Sequence, residues 1–281
     1  MLVNLNDVLI DARKNQYAVG LFNTTDTDML EAAISAAEEL RSPIIVGTAE
    51  VLLPYGELKL IAPSIIAAAK RATVPVVVHY DHGLTYDRCL EALDLGFTSV
   101  MYDCSTDSYE DNIKRVKEMA DIAHSRGATI EGELGHVGDN EGSMEGDSQL
   151  DDPSKFYTDP QTAKEFVELT DVDALAVAIG TAHGTYKTTP KLDIERLKQI
   201  SSTIDTPLVL HGGSGLSDDD FKNTIKNGIS KVNIFTDLCV AGKNAMKSFE
   251  GEYLDIRNAK VEAIKQAVMR KMQLFNSVNR Y

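Results

Sequence analysis

Short apolar runs rich in valine and isoleucine recur along the chain, and helical patterns separate them. Buried strands that alternate with helices are typical of a parallel sheet covered by helices on its outer face. Eight such runs are present, at residues 17–22, 43–47, 74–80, 98–102, 128–133, 174–180, 207–211 and 229–233. No second half repeats a nucleotide-binding pattern, so the sequence predicts an α/β fold closed into a (β/α)8 TIM barrel.

The chain continues beyond the eighth run into helical sequence, which predicts extra C-terminal helices on the barrel. Segment 259–275 carries apolar residues at helical spacing, namely Val261, Ile264, Ala267, Val268 and Met272. This stripe packs either on a second copy of the chain or on its own barrel, and the spacing leaves both open. Barrels of about 250 residues routinely form one unit, so we expect residues 1–281 to form a single domain.

The connection between residues 134 and 159 is longer and more polar than an ordinary barrel loop. It is rich in glycine, aspartate, serine and glutamate. Such a segment is either a disordered insertion or an active-site lid. We favour the lid, because the segment leaves from the end of the barrel where catalytic residues lie and its glycines supply hinges.

The charge balance limits the class of partner. With 28 basic and 43 acidic residues, the formal net charge is −15, which argues against a nucleic acid or an anionic membrane. Any bound phosphate must then be held by local geometry. Three cysteines without paired spacing, Cys89, Cys104 and Cys239, do not form a disulfide framework. With neither a leader pattern nor a long apolar segment, a cytoplasmic protein is expected.

Polar side chains stand where the predicted strands end, and a barrel builds its catalytic face at these ends. The third strand runs into His79, Asp81 and His82. The five later strands run into Asp103, Glu133, His183, His211 and Asn233. We therefore expect these side chains to meet around one opening.

A single histidine at the end of a buried strand has a simple explanation, a hydrogen bond to a loop. Three at the ends of different strands, His82, His183 and His211, are harder to explain in this way. Three converging imidazoles form an open zinc site that leaves a coordination position for substrate. Asp103 and Glu133 either add a second, weaker divalent-metal position or support the ligands as neighbouring carboxylates.

A glycine-rich loop follows the seventh strand and opens onto a helix that begins with a capping box at Ser217 and Asp220. Backbone amides, a hydroxyl and the dipole of a helix can together bind a phosphate. A plain tight turn is the alternative. The residues that favour the phosphate are Gly212, Gly213 and Ser214 in the loop, with Lys187, Asn233 and Thr236 beside other strand ends.

Five ordered segments carry a resemblance to a known family. They are His-Tyr-Asp-His at 79–82, Glu-Leu-Gly at 133–135, Gly-Thr-Ala-His-Gly-Thr-Tyr at 180–186, His-Gly-Gly-Ser-Gly at 211–215 and Asn-Ile-Phe-Thr-Asp at 233–237. Together they resemble the class II, zinc-dependent fructose-bisphosphate and tagatose-bisphosphate aldolases. The resemblance implies reversible aldol cleavage of a ketose phosphate, which gives dihydroxyacetone phosphate and an aldehyde through a zinc-stabilised enediolate.

The resemblance also implies roles for individual residues. His82, His183 and His211 would bind the zinc, Asp81 would act as acid/base at the C4 oxygen, and Glu141 in the lid would protonate the enediolate carbon. The residues expected to bind the phosphate and the substrate backbone are Asn23, Gly184, Lys187, Gly212, Gly213, Ser214, Asn233 and Thr236. A second divalent ion, a monovalent cation (Na+ or K+) beside the phosphate, and a homodimer or homotetramer are further expectations.

The sequence departs from bisphosphate members of the family at two positions. Phe235 stands where those members usually have aspartate and tagatose-type relatives have a small residue. An arginine that reaches the distal phosphate of a neighbouring subunit's substrate in relatives aligns with Leu254, and Arg257 follows one turn later. A buried charge without a partner is costly, so we expect an aldehyde product other than glyceraldehyde 3-phosphate.

Two other classes of protein gather histidines at barrel strand ends. Metal-dependent hydrolases usually carry a His-x-His pair, two positions apart, on an early strand, whereas His79 and His82 are three positions apart. A catalytically retired barrel that binds a sugar phosphate is the other alternative. It would be marked by loss of a ligand or an acid/base residue, yet the three histidines, Asp81 and Glu141 are all present.

Overall fold

The computed structural model describes residues 1–135, 137–139, 156–183 and 190–281. Its strands are β1 (Leu2–Val3), β2 (Val19–Asn23), β3 (Ile44–Ala49), β4 (Val76–Gly83), β5 (Ser99–Tyr102), β6 (Thr129–Leu134), β7 (Gly138–Asp139), β8 (Ala174–Val177), β9 (Ala182–His183), β10 (Leu208–Leu210) and β11 (Ile229–Ile234). Its α-helices are α1 (Asn6–Asn15), α2 (Thr27–Leu40), α3 (Leu58–Arg71), α4 (Tyr86–Leu95), α5 (Tyr109–Ser125), α6 (Pro160–Thr170), α7 (Ile194–Thr203), α8 (Asp218–Lys226), α9 (Thr236–Ser248) and α10 (Tyr253–Leu274). A short 3-10 helix, Glu50–Tyr55, follows β3.

Eight parallel strands close into a barrel in the order β4, β3, β2, β11, β10, β8, β6, β5, with β5 pairing back to β4. Helices surround it, and α9 and α10 follow the last strand. The predicted (β/α)8 barrel with extra C-terminal helices is therefore confirmed. Strand β1 pairs with the beginning of β4, and β7 pairs with β9 outside the barrel. The short strands β1, β7 and β9 were not predicted from the sequence.

The predicted sixth strand, residues 174–180, was too long. Pairing ends at Val177 because the backbone of Ala178 turns to Thr158: its amide donates to Thr158 Oγ1 at 2.9 Å, and its carbonyl accepts from the Thr158 amide at 3.0 Å. Gly180 then takes a φ of +109°, a left-handed conformation that suits glycine. These contacts turn the chain away from the barrel and toward β9.

Two apolar layers pack on opposite faces of the barrel strands. Outward-facing side chains such as Val78 and Val232 pack under the helices, whereas Val77 points inward. The inward layer is closed at the amino end of the barrel by α1 and the residue before it, through Leu5, Val8, Leu9 and Ala12. Inward-facing side chains are therefore apolar near the amino end of the barrel, and the inward-facing positions nearer the carboxyl ends of the strands carry polar side chains.

Helix α10 packs on its own chain. Its predicted apolar stripe includes Ile264, Ala267, Val268 and Met272, all of which are buried. Ion pairs from Lys260 to Asp26 and Asp28 fasten α10 to α2 at 2.9 and 3.0 Å. The spacing left open whether this stripe packs on a second copy of the chain or on its own barrel, and in the structure it packs within its own chain. Among the described helices, none combines the length and apolar character needed to cross a bilayer.

Candidate active site

The carboxyl ends of the barrel strands surround a cavity of about 500 Å³. Predicted site residues that line it are Asn23, Asp81, His82, Asp103, Glu133, His183, Gly212, Gly213, Ser214, Asn233 and Thr236. His211 is fully buried beside His82 at the base of this cluster. Glu141, Gly184 and Lys187 lie outside the described residues. The structure therefore gathers the described members of the predicted set around one opening.

A β-bulge turns two consecutive residues of β4 toward the cavity. Between the pairs Tyr80↔Val100 and Gly83↔Tyr102, β4 has one residue more than β5. His82, inside the bulge, has a φ of +42°, which is rare for a residue other than glycine. A regular strand would send neighbouring side chains to opposite faces, whereas here Asp81 and His82 both line the cavity.

The bulge also brings the backbone of Gly83 against its neighbours. A Cβ atom at Gly83 would lie 2.3 Å from Cys89 Sγ and 2.8 Å from the carbonyl oxygen of Met101. We expect Gly83→Ala to lower the free energy of unfolding by about 3 kcal/mol, because buried overpacking moves backbone. Urea denaturation measures this. Gly127→Ala is the control, since it meets open space at a φ of +72° and is expected to cost only about 1 kcal/mol. Equal losses in both variants would contradict the steric argument.

Three imidazoles converge at the base of the cavity. Ligand atoms of His82, His183 and His211 all lie within 4.8 Å of one another. Ring centroids are 4.9 Å apart for His82 and His183, and 4.5 Å apart for His82 and His211. His82 Nε2 faces His211 Nδ1 at 2.7 Å. The three rings come from β4, from β9 and from the residue after β10, as the sequence predicted for ligands at separate strand ends.

Carboxylates hold the far nitrogens of two of these rings. Asp103 Oδ2 lies 2.8 Å from His82 Nδ1, and Glu131 Oε1 lies 2.8 Å from His211 Nε2. Imidazoles that ligate metals are commonly oriented by such a carboxylate on the other nitrogen. The pairing leaves His82 Nε2 and His211 Nδ1 directed at the centre of the cluster.

Glu133 adds an unsatisfied acceptor beside the same cluster. Its Oε2 is buried without a hydrogen-bond partner among the described residues and lies 3.8 Å from His211 Nδ1. Burial, reinforced by the negative charge of Asp103, raises the pKa of Glu133 to about 8. A buried carboxylate with a vacant oxygen beside three nitrogen donors fits a divalent cation. Two groups of donors are suited to such an ion: the three histidines, and His82 with Asp103 and Glu133.

Asp81 lies beside the histidines but is held by amides. Its Oδ2 accepts a hydrogen bond from Asn23 Nδ2 at 2.7 Å, and its Oδ1 accepts one from Asn233 Nδ2 at 3.0 Å. Burial acts to raise the pKa of Asp81, but the positive charges of His82 and Lys231 outweigh it and hold the pKa well below its ordinary value. Asp81 is therefore an oriented carboxylate acceptor at the edge of the imidazole cluster.

Three buried polar residues lie one layer deeper: His79, Glu131 and Lys231. The sequence analysis gave no role to Glu131 and Lys231, and its expectation that His79 meets the others at the opening was wrong, because His79 is fully buried below the cavity. His79 Nδ1 contacts Ser99 Oγ at 2.8 Å, and Lys231 Nζ lies 2.8 Å from Glu131 Oε2. Each of the three stands two positions before a residue of the predicted site on the same strand. Residues two positions apart on a strand face the same side, so a residue two positions before a predicted site residue also points into the barrel. That period could have identified these three residues from the sequence.

The predicted phosphate cradle lies where β10 and β11 end. Gly212 has a φ of +65°, and a Cβ there would meet the carbonyl oxygen of Ala182 at 2.4 Å, so the loop needs glycine. Ser214 Oγ accepts from the amide of Phe235 at 3.4 Å. Phe235 precedes α9 and supplies no side-chain cap, which leaves first-turn amides at the cavity wall. The capping box of Ser217 and Asp220 is confirmed at the start of α8.

A parallel barrel whose strand ends surround a cavity with clustered imidazoles and carboxylates is typical of barrel enzymes that bind a metal. Comparisons with known proteins identify the family within that class. The fructose-bisphosphate aldolase class-II family description matches residues 3–280. The YdjI aldolase of Escherichia coli K12 superposes with a TM-score of 0.90 at 36% identity, covering 100% of this chain and 99% of that one. A fructose-bisphosphate aldolase of Staphylococcus epidermidis strain RP62A is 34% identical over 288 aligned positions, 99% of each chain.

A Campylobacter jejuni fructose-bisphosphate aldolase supports the fold alone, with a TM-score of 0.83 at 22% identity over 100% of this chain and 97% of that one. The chain belongs to the class-II fructose-bisphosphate aldolase family. Family membership and relatives named as aldolases support an aldolase, a carbon–carbon lyase, and confirm the resemblance drawn from the five ordered segments.

Proposed function

We propose that this aldolase depends on zinc and cleaves a ketose 1-phosphate, reversibly, into dihydroxyacetone phosphate and an aldehyde. One observation carries the proposal: a carboxylate fixed by two amides, Asp81, faces the same cavity as a cluster of three imidazoles. Cleavage next to a carbonyl needs a group that moves a proton and a separate group that stabilises negative charge. The catalytically retired barrel is not favoured, because these groups are all in place.

The residues suited to zinc are His82, His183 and His211, with Glu133 and Asp103 beside them. Zinc bound there would act as a Lewis acid for the negative charge left on the triose fragment. A second divalent ion at Asp103 and Glu133, and a monovalent cation beside the phosphate, stay predictions. The contact between Asp103 and His82 Nδ1 supports the view of Asp103 as an orienting carboxylate.

Asp81 is proposed to take the proton of the C4 hydroxyl while the bond between C3 and C4 breaks. The electrons of the O–H bond form the aldehyde carbonyl, and the pair from the broken carbon–carbon bond passes to the triose fragment. A proton delivered to C3, proposed to come from Glu141, completes dihydroxyacetone phosphate. The amides of Asn23 and Asn233 would keep the Asp81 carboxylate aimed at the substrate.

The phosphate end is proposed to lie against the loop at Gly212 and Gly213 and the first turn of α9. The amides there, the Ser214 hydroxyl and Thr236 suit an anion, because the start of a helix carries partial positive charge. Lys187 would add a full positive charge. This arrangement supplies the local attraction that a chain with a net charge of −15 does not supply as a whole.

The described wall of the cavity is poorly suited to a second phosphate. None of the described residues that line the cavity is lysine or arginine, and Val51, Leu84 and Phe235 contribute apolar wall. Arg257 is paired with Asp28 at 2.8 Å and with Glu31. Leu254 is largely exposed on α10. The part of the described cavity that remains for the aldehyde product therefore suits an uncharged group better than the phosphate of glyceraldehyde 3-phosphate.

A substrate panel tests the choice. We expect ketose 1-phosphates to be cleaved with a kcat/KM at least about 100-fold above those of fructose 1,6-bisphosphate and tagatose 1,6-bisphosphate, because a dianion placed against apolar groups loses its hydration without gaining a partner. A coupled assay for dihydroxyacetone phosphate measures all substrates alike. Efficient turnover of either bisphosphate would overturn the proposal for the aldehyde end and leave the aldolase class intact.

The partner proposed is a phosphorylated sugar, and neither nucleic acid nor membrane is proposed. A homodimer or homotetramer also stays a proposal, and the burial of the α10 stripe within its own chain means that other surfaces would form the contact. Sedimentation measures the assembly state directly.

A further inference from the structure

Lys231 is fully buried inside the barrel although its side chain carries an ammonium group. Its Nζ lies 2.8 Å from Glu131 Oε2 and donates to Asn233 Oδ1 at 2.7 Å. Lys231 is not among the described residues that line the cavity. A buried charge is costly unless it is paired, so this lysine has a defined set of partners and acts on the site only through them.

One partner connects Lys231 to the imidazole cluster. Glu131 uses Oε2 for the ammonium and Oε1 for His211 Nε2, at 2.8 Å each. A carboxylate only accepts hydrogen bonds, so His211 must donate from Nε2. The lone pair of a neutral His211 is then on Nδ1, the atom that faces His82. The Lys231–Glu131 pair thus fixes the tautomer in which His211 can ligate a metal.

The other partner connects Lys231 to Asp81. An ammonium group donates and cannot accept, so the side-chain oxygen of Asn233 must face Lys231. The amide nitrogen of Asn233 then faces Asp81 Oδ1, to which it donates at 3.0 Å. The reversed amide would oppose donor to donor at Lys231 and acceptor to acceptor at Asp81. Lys231 thereby sets the orientation of one of the two amides that hold the carboxylate.

We infer that Lys231 is a positioning residue that orients both a metal ligand, His211, and the base, Asp81, from beneath the site. The inference deepens the proposed function and rests on it for the role of Asp81. We call the two chains of contacts that lead from Lys231 its arms: one runs through Glu131 to His211, and the other runs through Asn233 to Asp81. The first arm governs affinity for zinc, and the second governs turnover at saturating zinc.

The first variant is Lys231→Met, which keeps the length of the side chain and removes its charge and donors. We expect the Kd for Zn²⁺, measured by competition with a chromogenic chelator, to rise about 10-fold to 100-fold, as when other groups that orient a ligand are lost. We expect kcat of the zinc-saturated protein to fall about 10-fold or more because the base is misaligned, and KM to rise by a smaller factor because Asn233 is also expected to contact the substrate.

The second variant is Lys231→Met with Glu131→Gln, which removes both buried charges and retains an amide oxygen that can accept from His211. Zinc affinity is expected to return to within about threefold of the wild type, whereas kcat stays low, because nothing restores the orientation of Asn233. This variant also decides the question if Lys231→Met alone leaves Glu131 unpaired and fails to fold. Lys260→Met, which breaks ion pairs on α2, is the matched control and should change neither quantity.

Wild-type zinc affinity and kcat in Lys231→Met would overturn the inference, and recovery of kcat in the double variant would overturn the arm through Asn233. A zinc affinity that stays weak in the double variant would overturn the arm through Glu131. The zinc titration needs no substrate. A wild-type protein that cleaves no ketose phosphate would therefore defeat the proposed function and still leave the His211 arm to be decided by the titration.

Discussion

Replacing His183 with alanine is expected to remove both bound zinc and cleavage activity. His183 is the proposed ligand that β9 brings beside His82, with ring centroids 4.9 Å apart. Without it, the described imidazoles of the cluster are His82 and His211, fewer than the three protein ligands usual for a catalytic zinc. Because a Lewis acid contributes several kcal/mol to the stability of the transition state, kcat/KM should fall about 1000-fold or more.

The measurement pairs zinc content after dialysis with the rate of dihydroxyacetone phosphate formation. Chelator treatment of the wild type should reproduce the loss of activity, and added zinc should reverse it. The control is His124→Ala, since His124 pairs with Asp173 at 2.9 Å on the outside of the barrel, away from the cavity. An active His183→Ala protein with a full complement of zinc would rule out the proposed metal centre.

Asp81→Ala is expected to separate the two functions of the site by keeping zinc and losing turnover. The carboxylate makes its hydrogen bonds to Asn23 and Asn233, so its removal leaves the imidazoles with their own supporting carboxylates. Loss of a positioned proton-transfer group costs about 100-fold to 10,000-fold in rate. Zinc stoichiometry and kcat, measured on the same preparation, show whether the variant keeps zinc and whether it loses turnover.

Either of two results would change the role assigned to Asp81. Full activity in Asp81→Ala would remove it from proton transfer. Loss of zinc would place it among the groups that hold the metal. A substrate panel that includes a poor leaving aldehyde would show whether any residual rate still depends on carbon–carbon cleavage.

Much of this arrangement could be predicted because a parallel barrel converts sequence position into spatial position. Each strand end meets the others at one rim, so His82, His183 and His211 converge although they are far apart in the chain. The eight runs of apolar residues were sufficient to predict closure, since buried strands of a barrel need side chains that pack on both faces.

Other features could not be predicted from the sequence, because they depend on contacts between strands. The bulge at His82 is a property of the pairing between β4 and β5, and a regular strand would have placed Asp81 and His82 on opposite faces. The pair formed by Lys231 and Glu131 joins β11 to β6 across the barrel. Each of the two residues, taken alone in its strand, resembles a charged residue at a solvent-exposed position.

The closure of the amino end by α1 has a consequence for ligands of any kind. Leu5, Val8 and Leu9 cover that end with hydrocarbon, whereas the cavity opens at the opposite end of the barrel, above the polar network around Lys231. A sugar that fills the opening would isolate this network from solvent and lower the dielectric constant around every charge in it. Occupancy, even by an inert analogue, would therefore strengthen the internal ion pair and slow the escape of any metal bound at the proposed zinc site.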